Sequence, residues 1–287
     1  MDKDLRQQAI ALYDRFTHEG MERRTFMSRM VALAGSVAAA EALIGSIAAS
    51  PAVAAIVPAN DPRLTTRTQD LVGGYKAYVA EPRTRSLKAT VMVIHENRGL
   101  NDHTRDVARR VALAGYRAVA VDFLSPVGGT PANEDAARDA IGKLDLGAAT
   151  AAGVAMIDEL EDRKGGNGKV GAVGFCWGGG FVNRLAVAAG DKLDAGVVYY
   201  GPAPDPSEAA KVQAPLAIHL AGLDERVNRT AFPWITALRQ AGKTVRFYLY
   251  EGVNHAFNND TSAERYNKAA ADLAWRRTLA FFRRYLR

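Results

Sequence analysis

Lys169-Val170-Gly171-Ala172-Val173-Gly174-Phe175-Cys176-Trp177-Gly178-Gly179-Gly180 carries an apolar run into a cluster of glycines, with a cysteine at the junction. The first six residues read as a buried strand, and Val182, Leu185 and Ala186 beyond the glycines fall at helical spacing. Gly174-x-Cys176-x-Gly178 between a strand and a helix describes a turn so tight that a Cβ at either glycine would strike neighbouring backbone. The central side chain is then forced outward at a helix N-terminus, where the dipole and free amides favour a thiolate. A lone cysteine is ordinarily a small buried hydrophobe. Its position in this turn makes Cys176 a candidate nucleophile, and its being single rules out an intrachain disulfide or a zinc site of clustered cysteines.

On either side of this turn the chain alternates between two periodicities. Residues 89–95, 116–121, 193–200, 215–220 and 245–250 are short apolar or β-branched runs like 169–174. Helical patterns separate most of them; one covers residues 102–114 with Val107, Val111 and Ala114 inward, and another closes the chain from about Ala263 to Leu286. Continuous apolar strands joined by helices predict an α/β fold with a mostly parallel sheet flanked by helices on both faces. In such sheets reactive groups collect where loops leave the carboxyl ends of the strands.

Two later strand ends supply the partners a nucleophile needs. The run 215–220 leads into Ala221-Gly222-Leu223-Asp224-Glu225, and 245–250 leads into Glu251-Gly252-Val253-Asn254-His255. Nucleophile, acid and histidine in that chain order match an α/β-hydrolase arrangement. Asp224 would orient the imidazole and stabilise its charged form, and His255 would carry protons. Glu225 is an alternative acid, while His95, His103 and His219 do not fit the order.

With these residues in place, Gly174-Phe175-Cys176-Trp177-Gly178-Gly179, Asp224 and His255 resemble the dienelactone hydrolase (carboxymethylenebutenolidase) family over roughly residues 70–287. The resemblance implies hydrolysis of small carboxylic esters or lactones through an acyl-thioenzyme, without metal or organic cofactor. It extends to Ile94-His95-Glu96-Asn97-Arg98-Gly99, where it implies that Glu96 holds the resting cysteine. The backbone amides of Trp177 and Asn97 are the expected oxyanion hole. Phe123, Phe257 and Arg98 are the expected substrate contacts. The family's carboxylate-binding arginines are missing both after Asp122 and just beyond His255, which points away from dienelactone itself.

The 287 residues fit a domain at residues 59–287 plus an N-terminal segment at 1–58. A charge of +6 with dispersed Lys and Arg gives no basic stripe for nucleic acid, and no run is long and apolar enough for a membrane span. The expected partner is a small-molecule substrate, with a homodimer left open. Leu5, Ala9, Leu12, Tyr13 and Phe16 predict a helix ending near Gly20. Arg23-Arg24-Thr25-Phe26-Met27 before the Gly/Ala-rich residues 30–49 resembles a twin-arginine export signal, with cleavage expected after Ala54 and a periplasmic or exported location. Glu41 inside the apolar stretch favours the alternative, an uncleaved arm on a cytoplasmic protein. Two further readings stand beside the ester hydrolase: a non-hydrolytic thiol sensor or binding protein on the same fold, and a hydrolase of thioester or phosphoryl substrates.

Overall fold

The computed structural model describes residues 3–48, 55–83, 89–162 and 165–287; the expected cleavage position after Ala54 lies outside them. Among the described residues the core is an eight-stranded sheet in the order β1-β2-β4-β3-β5-β6-β7-β8. The strands are β1 (Leu64–Leu71), β2 (Tyr75–Pro82), β3 (Thr90–Ile94), β4 (Arg117–Asp122), β5 (Val170–Phe175), β6 (Ala195–Tyr199), β7 (Leu216–Ala221) and β8 (Val245–Tyr250). From β4 to β8 the pairing is parallel, as the apolar runs predict. The antiparallel β1 and β2 extend one edge. The sequence reading gave them no strand, because β1 carries Thr, Arg, Gln and Asp and buries little beyond its two terminal leucines.

Successive strand residues point to opposite faces. Met92 and Ile94 of β3 join one core with α6 (Leu146–Glu161), α7 (Trp177–Ala188) and α8 (Glu225–Gln240). Val91 and Val93 join the other with α4 (Asp102–Leu113) and α9 (Lys268–Tyr285). Both faces are therefore covered. The closing helix starts at Lys268 rather than near 263, because Asn267 caps it by accepting from the Ala270 amide.

The N-terminal segment is itself folded. Among the described residues it forms α1 (Lys3–His18), α2 (Arg23–Ala34) and α3 (Val37–Ile47), with a small core that includes Ile10, Phe26, Met30 and Leu43. Phe16 stacks on Phe26 with ring centroids 4.2 Å apart. The stretch after the arginine pair is not one apolar helix. Gly35 takes φ 84° and Ser36 caps α3, so α2 and α3 meet at 106°. No single described helix is long and apolar enough to cross a membrane. The remaining α5 (Glu134–Gly142) packs beside the opening of the candidate site.

Candidate active site

Cys176 sits between β5 and α7 at φ 54°, ψ −115°, a strained conformation held by its surroundings. A Cβ on Gly174 would lie 2.0 Å from the Gly178 carbonyl oxygen, and one on Gly178 would lie 2.4 Å from that of Ile94. Both glycines are thus required by contact with backbone that cannot yield. The Cys176 amide donates to the Tyr199 carbonyl (3.0 Å), tying the turn to the neighbouring strand. Trp177, first residue of α7, carries an amide with no partner within its own helix.

Asp224 and His255 approach from the two loops that the sequence indicated. Gly222 donates to the Tyr250 carbonyl and Leu223 to that of Val253, which lashes the loops together. Asp224 does two things at once: one oxygen caps α8 by accepting from the Val227 amide (3.1 Å), and the other lies 2.5 Å from His255 Nδ1. Burial works against a charge on His255, yet Asp224 and then the Cys176 sulfur overcome it and push its pKa up to about 10. Burial likewise opposes charge on Asp224, and the imidazole beside it wins, lowering its pKa. His255 Nε2 is buried with no hydrogen-bond partner among the described residues.

A third ring stands at the site. His18, the last residue of α1, brings Nε2 to 3.9 Å from Cys176 Sγ and packs its ring edge-on to His255 with centroids 4.8 Å apart. Asn97 Nδ2 lies 3.4 Å from His18 Nδ1 and donates to the Thr17 carbonyl at 3.2 Å. An amide nitrogen can only donate, so Nδ1 accepts and the His18 proton sits on Nε2, facing the sulfur. Burial, and then the charge on His255, hold the His18 pKa well below its usual value. The sulfur and one ring nitrogen from each histidine lie within 4.8 Å of one another, so these three residues could also hold a metal ion. No sequence signal marked His18, because its role depends on how a remote helix docks.

The other expected residues divide. Glu96 lines the same cavity, but one oxygen accepts from Tyr200 Oη (3.3 Å) and the other from Asn259 Nδ2 (2.9 Å). Arg98 also lines it, with Nη2 donating to Tyr13 Oη (3.0 Å) and Nη1 lying 3.6 and 3.4 Å from Glu134 and Asp135. The structure does not bring Phe123 and Phe257 to this cavity. Both are fully buried, Phe123 against Trp177 and Phe181 and Phe257 against Tyr200 and Tyr250, because the loops that carry them fold back into the core. Arg265 is a residue the sequence reading passed over. It lies ten positions beyond His255, lines the cavity, and pairs with Asp14 of α1 at 3.4 Å.

The cavity over the sulfur offers about 20 Å³ and is lined on the α1 side by Tyr13, Thr17 and His18. It has room for little more than one water. The three other histidines serve the scaffold: His95 stacks on Trp177, His103 pairs with Asp260, and His219 bridges Tyr250 and Thr278.

Comparison with known proteins bears on the family and the fold. The Dienelactone hydrolase family profile covers residues 75–286. A "Putative carboxymethylenebutenolidase" of Saccharolobus solfataricus is 29% identical over 245 residues, spanning 73% of this chain and 93% of its own. "Protein usf" of Aquifex pyrophilus is 31% identical over 223 residues, spanning 74% and 94%. The crystal structure of a "Putative Dienelactone Hydrolase" from Klebsiella pneumoniae superposes with a TM-score of 0.68 at 26% identity, covering 77% of this chain and 99% of that one. An elbow cysteine on a mostly parallel sheet and a profile match across nearly the whole sheet lead to one assignment: the chain belongs to the dienelactone hydrolase family.

Proposed function

We propose that the protein hydrolyses carboxylic esters or lactones, with Cys176 as nucleophile, His255 as proton carrier and Asp224 as the group that orients and charges the imidazole. The observation that carries this reading is the buried Asp224–His255 pair, 2.5 Å apart, whose free nitrogen is left unpartnered beside the elbow sulfur. Raising the His255 pKa to about 10 favours the imidazolium, the proton donor that the reaction needs beside the sulfur.

The steps then balance without a cofactor. Sulfur attacks the carbonyl carbon, an S–C bond forms, and the carbonyl π pair moves to oxygen, which the Trp177 and Asn97 amides would receive. The C–O bond breaks as the oxyanion collapses, and His255 gives its proton to the departing alkoxide, leaving an acyl-thioenzyme. A water then attacks the thioester carbonyl, His255 takes its proton, and the acid departs with the thiolate restored.

Purified protein is expected to hydrolyse p-nitrophenyl acetate with one equivalent of acyl group on Cys176, seen by intact mass in a rapid quench. Cys176→Ala should lose both signals. Turnover that survives in that variant would reject the cysteine as nucleophile.

A further inference from the structure

A larger cavity beside the site belongs jointly to the N-terminal helices and the body. It measures about 400 Å³, within the range that ligand pockets occupy, whereas the space over the sulfur is about 20 Å³. An ester group cannot be seated in the smaller space as it stands. The two cavities share three wall residues, Tyr13, Arg98 and Glu134. In the shared wall Arg98 Nη2 donates to Tyr13 Oη at 3.0 Å, which links the helical unit to the body.

The chemistry of the larger chamber is specific. Its apolar lining comes from the N-terminal unit: Tyr13 and Phe16 of α1, Phe26 and Met27 of α2, and Ile44 of α3. Its two cations are already spoken for. Arg23 is bound to Asp135 at 2.5 Å, and Arg98 faces Glu134 and Asp135. Against these stand three carboxylates, Glu41, Glu134 and Asp135, so a negatively charged ligand meets no unpaired cation and an excess of like charge.

The orientation of an ester follows from the proposed reaction, on which this inference rests. The leaving oxygen must lie where His255 can protonate it, and His255 lines the small cavity but not the chamber. The group on the other side of the carbonyl is the acyl chain, and the wall of Tyr13, Arg98 and Glu134 that both cavities share is its route to the chamber in this proposal.

We propose that the chamber between the N-terminal helices and the body is the acyl-binding site, reached by release of Tyr13 from Arg98, and that it selects esters of neutral, apolar acyl groups of medium length. Arg23, Phe26 and Met27, in the stretch whose arginine pair reads as an export signal in the sequence, line that chamber.

The test uses the full-length protein and three p-nitrophenyl esters: the acetate, the hexanoate and the half-ester of adipic acid, which carries a terminal carboxylate. Each buried methylene is worth about fourfold, so a chamber that takes up even two of the four extra methylenes of hexanoate should raise kcat/KM over acetate by at least about tenfold. The adipate half-ester, of equal chain length, should fall back to the level of the acetate. Ile44→Trp, which fills the chamber from α3, should lower the hexanoate-to-acetate ratio by about tenfold, and Ile44→Ala should preserve it. Circular dichroism and thermal melting establish that both variants are folded. Equal kcat/KM for acetate and hexanoate, preference for the adipate half-ester, or a ratio unmoved by Ile44→Trp would each overturn the chamber as the acyl site while leaving ester hydrolysis standing. Absence of Cys176-dependent turnover on all three esters would instead remove the underlying reaction.

Discussion

Asp224 is the residue on which the charge state of the site turns. Burial alone would leave His255 neutral, and it is the carboxylate at 2.5 Å, ahead of the sulfur, that raises the imidazole to about 10. A histidine raised on folding contributes stability in full below its ordinary value near 6.5 and loses it as pH climbs through about 10. The same proton must be present for the leaving group to depart, so kcat/KM of the wild type should hold through neutral pH and fall only as pH nears 10. Asp224→Asn keeps the shape and removes the charge. Its alkaline limb should move to lower pH, and kcat/KM at pH 7 should drop by roughly a hundredfold or more. A pH–rate profile of the variant that overlays the wild type would show that the carboxylate does not set the imidazole's proton. The elbow and this pair were readable from sequence because each leaves a mark that local rules impose. Gly174 and Gly178 are demanded by backbone contact, and Asp224 and His255 fall just past strand ends. Phe123 and Phe257 carried no such mark. An aromatic residue after a strand can face a ligand or fold inward, and only the packing of His95, Trp177, Phe181 and the tyrosines decides it.

At the scale of elements, α1 is the segment whose amphipathic pattern was plain and whose destination was not. Ala9, Ile10, Tyr13 and Phe16 are buried within the N-terminal unit. The polar residues beside them, Asp14, Thr17 and His18, instead meet Arg265, Asn97 and Cys176. Periodicity predicts the first set because burial is a property of one helix face. Contacts between polar groups 80 or more positions apart in the chain leave no periodic signal. The edge strand β1 escaped for the opposite reason, since half of it faces water and its composition is that of a loop. His18 ends α1 against the nucleophile and Cys176 is only 4% exposed, so reagents are expected to reach the sulfur when that helix moves. Removing one polar contact worth about 1 kcal/mol multiplies the open population roughly fivefold. His18→Ala should therefore speed alkylation of Cys176 by iodoacetamide about fivefold, measured by mass spectrometry over time. Alkylation at the wild-type rate would mean that α1 does not gate the thiol.

For the molecule as a whole, the question is what holds the N-terminal helices on the body. Part of the join is backbone: Glu264 donates its amide to the Ser46 carbonyl, and Ser262 Oγ donates to that of Ile47. Much of the rest is ionic. Arg6 reaches Glu264 at 2.9 Å and Arg23 reaches Asp135 at 2.5 Å, and both pairs are substantially open to solvent. Arg265 and Asp14 form a more deeply buried pair. We propose that the helices stay with the mature protein, since they supply one wall of the site and close it. A unit of this size has too little core to be strongly stable alone, so its order depends on this seam. Exposed pairs are each worth a few tenths to about 1 kcal/mol, and raising salt from about 0.1 to about 1 M cuts the screening length from roughly 10 to about 3 Å. Buried contacts respond far less. Iodoacetamide is uncharged, and its intrinsic reaction with a free thiol is insensitive to salt, so any acceleration reports opening of the seam. Alkylation of Cys176 should become roughly two- to fivefold faster across that salt range. Arg6→Ala combined with Arg23→Ala should reproduce the fast rate at low salt and abolish the salt dependence. A wild-type rate that is flat in salt, or a double variant that still accelerates with it, would mean that the exposed ion pairs do not hold the cap and that the backbone bonds near residues 262–264 carry the join.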